Sequence, residues 1–164
     1  MKSIFLALQD AVLLTRTYGG HYLKPVECYN GKNDWEAAQI QELMTVFDDL
    51  GPKLYPTFFE KDETKKVELM KTAAEEHVKP YYARLQKYLE ENGTGYFVGN
   101  DLTVADILHF VFLTGIDEGI FPGVLAEYPK LTAFVEHIQA IPKIKEWLEK
   151  RPEAPFSILS KKKQ

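Results

Sequence analysis

Two adjacent carboxylates, Asp48 and Asp49, are the residues here whose type and spacing could do chemistry. On residue statistics alone the pair is a solvated face on a helix already rich in acids. Little else competes with it. The chain has no phosphate-binding glycine loop, no dinucleotide fingerprint, no HExxH and no paired cysteines. His21, His77, His109 and His137 are too dispersed to read as a metal site. Cys28 is a lone small residue in a turn-rich passage, with nothing near it in sequence to make it a nucleophile. Ser157 and Ser160 sit in a polar tail without a motif.

The elements that must carry the acidic pair are helices. From Asp34, read as an N-cap, Ile40, Leu43, Phe47, Leu50 and Leu54 recur at steps of three and four, a single apolar stripe that should fail near Gly51-Pro52. Glu63 to Glu91 reads as a second long helix with Val67, Met70, Ala74, Val78, Tyr81, Leu85 and Tyr88 as its stripe, kinked at Pro80 and stopped by Asn92-Gly93. Tyr96 to Val98 reads as a short extended lead-in to the next helix. After Gly115 the chain should turn through Gly119 and Pro122. Pro129 opens a helix with Leu131, Phe134, Val135, Ile138 and Ile141, and Pro142 starts a last one with Ile144, Trp147 and Leu148. Strand signals are almost absent, so the expected fold is an all-α helical bundle.

Length and composition agree. At 164 residues, 45% hydrophobic and 27% charged, the chain is sized for one domain with a real core. A net charge of -4 argues against a general nucleic-acid binder, and Lys161 to Lys163 read as a solvated tail. A single cysteine cannot make an internal disulfide, which suits a cytoplasmic protein. In MKSIFLALQDAVLL, Gln9 and Asp10 interrupt what would otherwise resemble a signal core. No run approaches the roughly 20 apolar residues of a membrane span.

The organising stretch is GNDLTVADIL, Gly99 to Leu108. Thr103 and Asp106 have the spacing of an N-cap with a capping box, and Leu102 and Ile107 that of a hydrophobic staple. Such a cap contributes about 1 kcal/mol. The run from Ile107 to Leu113 is apolar on nearly every face, so this helix should be the one the others surround, with Asp106 partly buried.

That capping box after a glycine turn resembles the folding motif in the C-terminal helical domain of the cytosolic glutathione transferases. IPKIKEWLEKRPEAPF, Ile141 to Phe156, resembles the chain end of the sigma-type members, nematode ones especially, and GKNDWEAAQIQELMTVFDDL, Gly31 to Leu50, is similar to the first helix of the same domain. The likeness covers about residues 31–156. The expected organisation is an atypical segment over residues 1–30, a short helix plus loop, followed by a transferase-type helical domain over 31–164.

The resemblance implies a function: conjugation of reduced glutathione to hydrophobic electrophiles, with glutathione as co-substrate, no permanently bound cofactor and no metal. It implies a homodimer whose interface is lined by the first helix, where Asp49 reaches the ammonium of glutathione in the partner subunit and Asp48 lies beside it. A charge-assisted hydrogen bond suits that role. Tyr55, Phe58, Phe59 and Phe156 are the candidates for the apolar electrophile pocket. The catalytic hydroxyl of sigma-type enzymes is a tyrosine of a thioredoxin-like domain that precedes the helices. Nothing in this sequence matches that domain; Tyr18 and Tyr22 stand in the wrong context. Gln9-Asp10 stands roughly where a glutathione-gripping pair would, but an acid there would repel a carboxylate. Activity of the isolated chain is therefore the open point. Against the enzyme stands a second reading, a non-catalytic module, since the same helical domain serves translation factors as a scaffold and lenses as a crystallin. In either case the helix faces that pack on the missing domain should leave an apolar patch, partly covered by Met1 to Leu14, with self-association through the first two long helices.

Overall fold

The computed structural model describes residues 30–150. The expectations for residues 1–29 and for Phe156 lie outside the described residues.

The first helix, α1 (Asp34–Phe59), is capped by Asn33, one residue before the expected cap, whose side chain accepts the Glu36 N–H at 3.0 Å. Asp34 and Glu36 put negative charge in the first turn, where the helix dipole favours it. The helix does not fail at Gly51-Pro52. It runs two further turns with Pro52 and Pro56 inside it. Each proline removes one backbone donor, yet Leu50, Leu54 and Thr57 keep a continuous buried stripe across the break, and that packing holds the segment helical.

The second expected helix is three pieces: α2 (Glu63–Ala73), a π turn (Ala74–Val78) and α3 (Lys79–Asn92). Asp62 caps α2 by accepting the N–H groups of Thr64 and Lys65. In the π turn the Lys79 N–H reaches back five residues to the Ala74 carbonyl, just before Pro80, which has no donor to offer. One extra residue in a turn rotates the helix ahead of it by about 100° relative to the helix behind it. The predicted stripe is therefore out of phase ahead of the turn: Val67 is 65% exposed while Ala73 is buried, and behind it Val78, Tyr81, Tyr82, Leu85 and Leu89 all face the core. Gly93, in the left-handed region at φ 68°, ends α3.

A loop leads to α4 (Val104–Gly119), which is the hub. Ala105, Leu108, Phe110, Phe112, Leu113 and Ile116 are buried, whereas Ile107, the predicted staple residue, is 37% exposed. Phe112 meets Phe47 of α1 edge to face at 5.0 Å and Tyr81 of α3 at 5.6 Å, so three helices lock through one ring. The helix runs four residues past the expected turn at Gly115. Asp117 then holds the following loop, accepting the N–H groups of Gly123 and Leu125. A 3-10 turn (Leu125–Glu127) leads to α5 (Pro129–Ala140), which buries Leu131, Phe134, Val135 and Ile138, and α6 (Pro142–Lys150) closes the described chain. Among the described residues there is no strand, and the all-α bundle is as expected.

Candidate functional site

The acidic pair sits between two core residues. Phe47 and Leu50 are buried, so the helical repeat turns Asp48 and Asp49 outward, and both are exposed. Neither pairs with a basic side chain among the described residues. Steps of four, three and four residues put Asp48, Pro52, Tyr55 and Phe59 on one line along α1. The Tyr55 hydroxyl lies 3.7 Å from where a Cβ on Gly51 would stand, so its ring leans back along the helix toward the acids. Tyr55 is 41% and Phe59 71% exposed. Phe58 diverges from this line: it is half-buried against the core, one helical step round from Phe59. α1 thus presents a ridge with carboxylates at one end and aromatic rings at the other.

Thr103 and Asp106 form the capping box of α4. Asp106 is fully buried rather than partly buried, and both of its oxygens are used. Oδ2 accepts the Thr103 N–H at 2.7 Å and the Thr103 hydroxyl at 2.6 Å, and Oδ1 accepts the Phe97 N–H at 2.8 Å. Burial raises its pKa and the three donors oppose the rise. This is a structural carboxylate, closed to any ligand.

A second carboxylate knot joins the start of α1 to the same loop. Lys32 donates from Nζ to Asn100 Oδ1 at 2.6 Å and pairs with Asp101, while its own N–H binds Glu36 Oε2 at 2.6 Å. Gly31, Val98 and Leu102 complete the small cleft around these groups. Lys32 ties Glu36, Asn100 and Asp101 together within it.

Sequence reading missed His109. It is fully buried on α4, with Nδ1 2.7 Å from the Ala105 carbonyl and Nε2 without a partner. Burial pushes its pKa down to about 4. The signal was present in the sequence: a single imidazole inside a run apolar on nearly every face has nowhere to go but the core. Four tyrosines of the described helices and loops are engaged or closed off. Tyr81 and Tyr82 are buried and their pKa values are raised by that burial, Tyr88 donates to Glu42 at 2.6 Å, and Tyr128 donates to the Lys79 carbonyl at 3.0 Å. No three His, Cys, Asp or Glu side chains cluster to hold a metal ion among the described residues, and no described helix is long and apolar enough to cross a membrane.

Comparison with known proteins gives this architecture a family. Residues 48–151 match the family described as "Glutathione S-transferase, C-terminal domain". A probable glutathione S-transferase 5 of Caenorhabditis elegans is 34% identical over 134 residues, 77% of this chain and 62% of that protein. The S-crystallin SL11 of Nototodarus sloanii is 32% identical over 133 residues, 78% of this chain and 62% of its own length. Among solved structures, prostaglandin synthase D of Nilaparvata lugens superposes with a TM-score of 0.68 at 30% identity, over 74% of this chain and 60% of that one. The chain thus spans about three fifths of the length of the curated relatives it matches. With its capped central helix, its all-helical core and these relatives, the chain belongs to the glutathione S-transferase family and carries that family's C-terminal helical domain.

Proposed function

We propose that this chain supplies the helical half of a glutathione-conjugating protein that joins reduced glutathione to hydrophobic electrophiles in the cytoplasm. The observation that carries the reading is the outer ridge of α1, where Asp48 stands in line with Tyr55 and Phe59 and Asp49 is exposed one residue on, neither with a basic partner among the described residues. In this reading α1 lies at a homodimer interface. Asp49 accepts from the ammonium of glutathione held by the partner subunit, and Asp48 supports the negative field beside it. Tyr55 and Phe59, with Phe58 behind them and Phe156 from the chain end, wall the apolar side of the electrophile site. The thiolate-activating hydroxyl belongs to a thioredoxin-like domain. That hydroxyl supplies the thiolate stabilisation, to which the helical domain adds positioning. Residues 1–30 form a separate segment before the helical domain in this reading.

Calorimetric titration of reduced glutathione into the 164-residue chain tests it, with Asp49→Ala as control. Heat of binding that the substitution abolishes supports the assignment. No binding by a chain whose circular dichroism is fully helical overturns the binding role of Asp49 in this chain and leaves the helical half as a scaffold. The 32% identity to an S-crystallin is the observation on that side.

A further inference from the structure

The aromatic seat of His109 is unlike anything the conjugation reading requires. Its ring lies 4.9 Å from Phe97 of the loop, 6.1 Å from Tyr81 of α3 in a stacked arrangement, and 6.3 Å from Phe47 of α1. Four separately placed elements therefore meet at this one imidazole. Its Nδ1 is engaged by the Ala105 carbonyl, which makes Nδ1 the protonated nitrogen and leaves Nε2 a bare acceptor. We propose that His109 is an acid-sensitive latch: a second proton, placed at Nε2 where no acceptor waits, drives the ring from its seat and loosens α1 and the Phe97 loop from α4.

The surroundings make the switch one-directional. α1 contributes Phe47 and the loop Phe97, neither of them titratable. α3 contributes Tyr81, whose hydroxyl is buried and unpartnered, as is that of the adjacent Tyr82. On α4 itself Asp106 stands three residues before it, held by Phe97 and Thr103, and burial raises its pKa, so it loses its charge in the same acid range in which the imidazole would gain a proton. None of these neighbours supplies the negative charge that would hold an imidazolium in place, and a buried unpaired cation is strongly disfavoured. The low pKa of the group, about 4, fits this arrangement. The loop and α1 are the parts that would move, since Phe97 and Phe47 are the rings through which they rest on the imidazole.

Three readouts test the latch on the whole chain. Imidazole titration followed by nuclear magnetic resonance should place one histidine near pH 4 rather than near the ordinary 6.5, and a midpoint of about 6.5 for His109 would overturn the proposal. In denaturant unfolding, the folding equilibrium of the unsubstituted chain should weaken by about 30-fold more between pH 8 and pH 5 than that of His109→Phe or His109→Asn. Phe keeps the ring and Asn keeps a donor toward Ala105, so at least one should fold. Equal pH slopes in all three would sink the idea. Protection of the Phe97 amide against exchange, relative to the free-peptide rate at the same pH, should fall below pH 5 in the unsubstituted chain only.

Discussion

Asp106 Oδ1 accepts the main-chain N–H of Phe97 at 2.8 Å, across nine residues of chain. The carboxylate that caps α4 is therefore also the anchor of the loop that delivers Phe97 to the core. One residue sets both where the helix starts and how the chain reaches it.

Asp106→Ala should then cost more than an ordinary cap. Beyond the ~1 kcal/mol of a lost cap, it leaves the buried N–H groups of Phe97 and Thr103 without acceptors, each worth about 1–3 kcal/mol. A loss of about 3 kcal/mol in urea unfolding is expected, and a loss under 1 kcal/mol would show that the loop finds other partners. Asp106→Asn should retain part of the difference. Its pH behaviour carries a sign. Because the folded pKa is raised, this carboxyl on its own favours the fold at low pH and takes stability away as pH rises past its unfolded value of 3.8. Asp106→Asn should erase that component.

Gly99 tests how closely the loop and α1 fit. Its φ is 63°, and a Cβ there would stand 3.1 Å from the Glu36 carboxylate. Gly123 has a similar backbone at φ 87° with nothing within 4 Å. Gly123→Ala should cost only the left-handed backbone term, about 1 kcal/mol, whereas Gly99→Ala adds a displaced Glu36 and its bond to the Lys32 N–H. Thermal unfolding should rank them in that order; equal losses would mean that Glu36 swings aside freely.

The relation of Tyr88 to Glu42 predicts an alkaline effect. The hydroxyl donates to Glu42 Oε1 at 2.6 Å between α3 and α1, and burial first, then that bond, pushes its pKa up to about 12. A raised folded pKa means that the contribution is full below pH 10 and is lost as pH climbs toward 12. Glu42→Gln should lower the phenolate midpoint seen by ultraviolet absorbance. Tyr88→Phe should destabilise by about 1 kcal/mol at neutral pH.

How far these features were legible depends on whether their cause was local. Thr103 and Asp106 are three residues apart and their chemistry is complete within one turn, so the cap could be read directly; that Asp106 also binds Phe97 could not, because nothing in the spacing announces a loop folding back. Pro52 looked like a helix end because a proline's cost is local. Leu54 and Thr57 override it only through burial against other helices. Val67 was misplaced since a π turn leaves no periodic mark yet rotates the register. Asp48 and Asp49 are exposed, as a helix face with Phe47 and Leu50 inward requires. Their proposed role lies with a partner molecule, which no residue of this chain can report.

Self-association is the remaining consequence of the α1 ridge. Phe59 is 71% exposed and Val67, at the start of the next helix, 65% exposed. Single exposed apolar groups are common, but two large ones near an acidic pair on adjoining helices suit a contact between copies of the chain. Sedimentation of the purified chain should show a dimer at micromolar concentration. Phe59→Ser with Val67→Ser should shift it to monomer with circular dichroism unchanged, because neither side chain contributes to the core and exposed substitutions alter stability by about 0.5 kcal/mol. Asp49→Ala serves as the companion. If α1 faces its own copy, two Asp48–Asp49 pairs approach one another across the two-fold axis, and removing a carboxylate should tighten the dimer at low salt and do little at high salt, where the repulsion is screened. A dimer that ignores both Phe59 and Asp49 would place the interface elsewhere and detach the acidic pair from the role proposed for it.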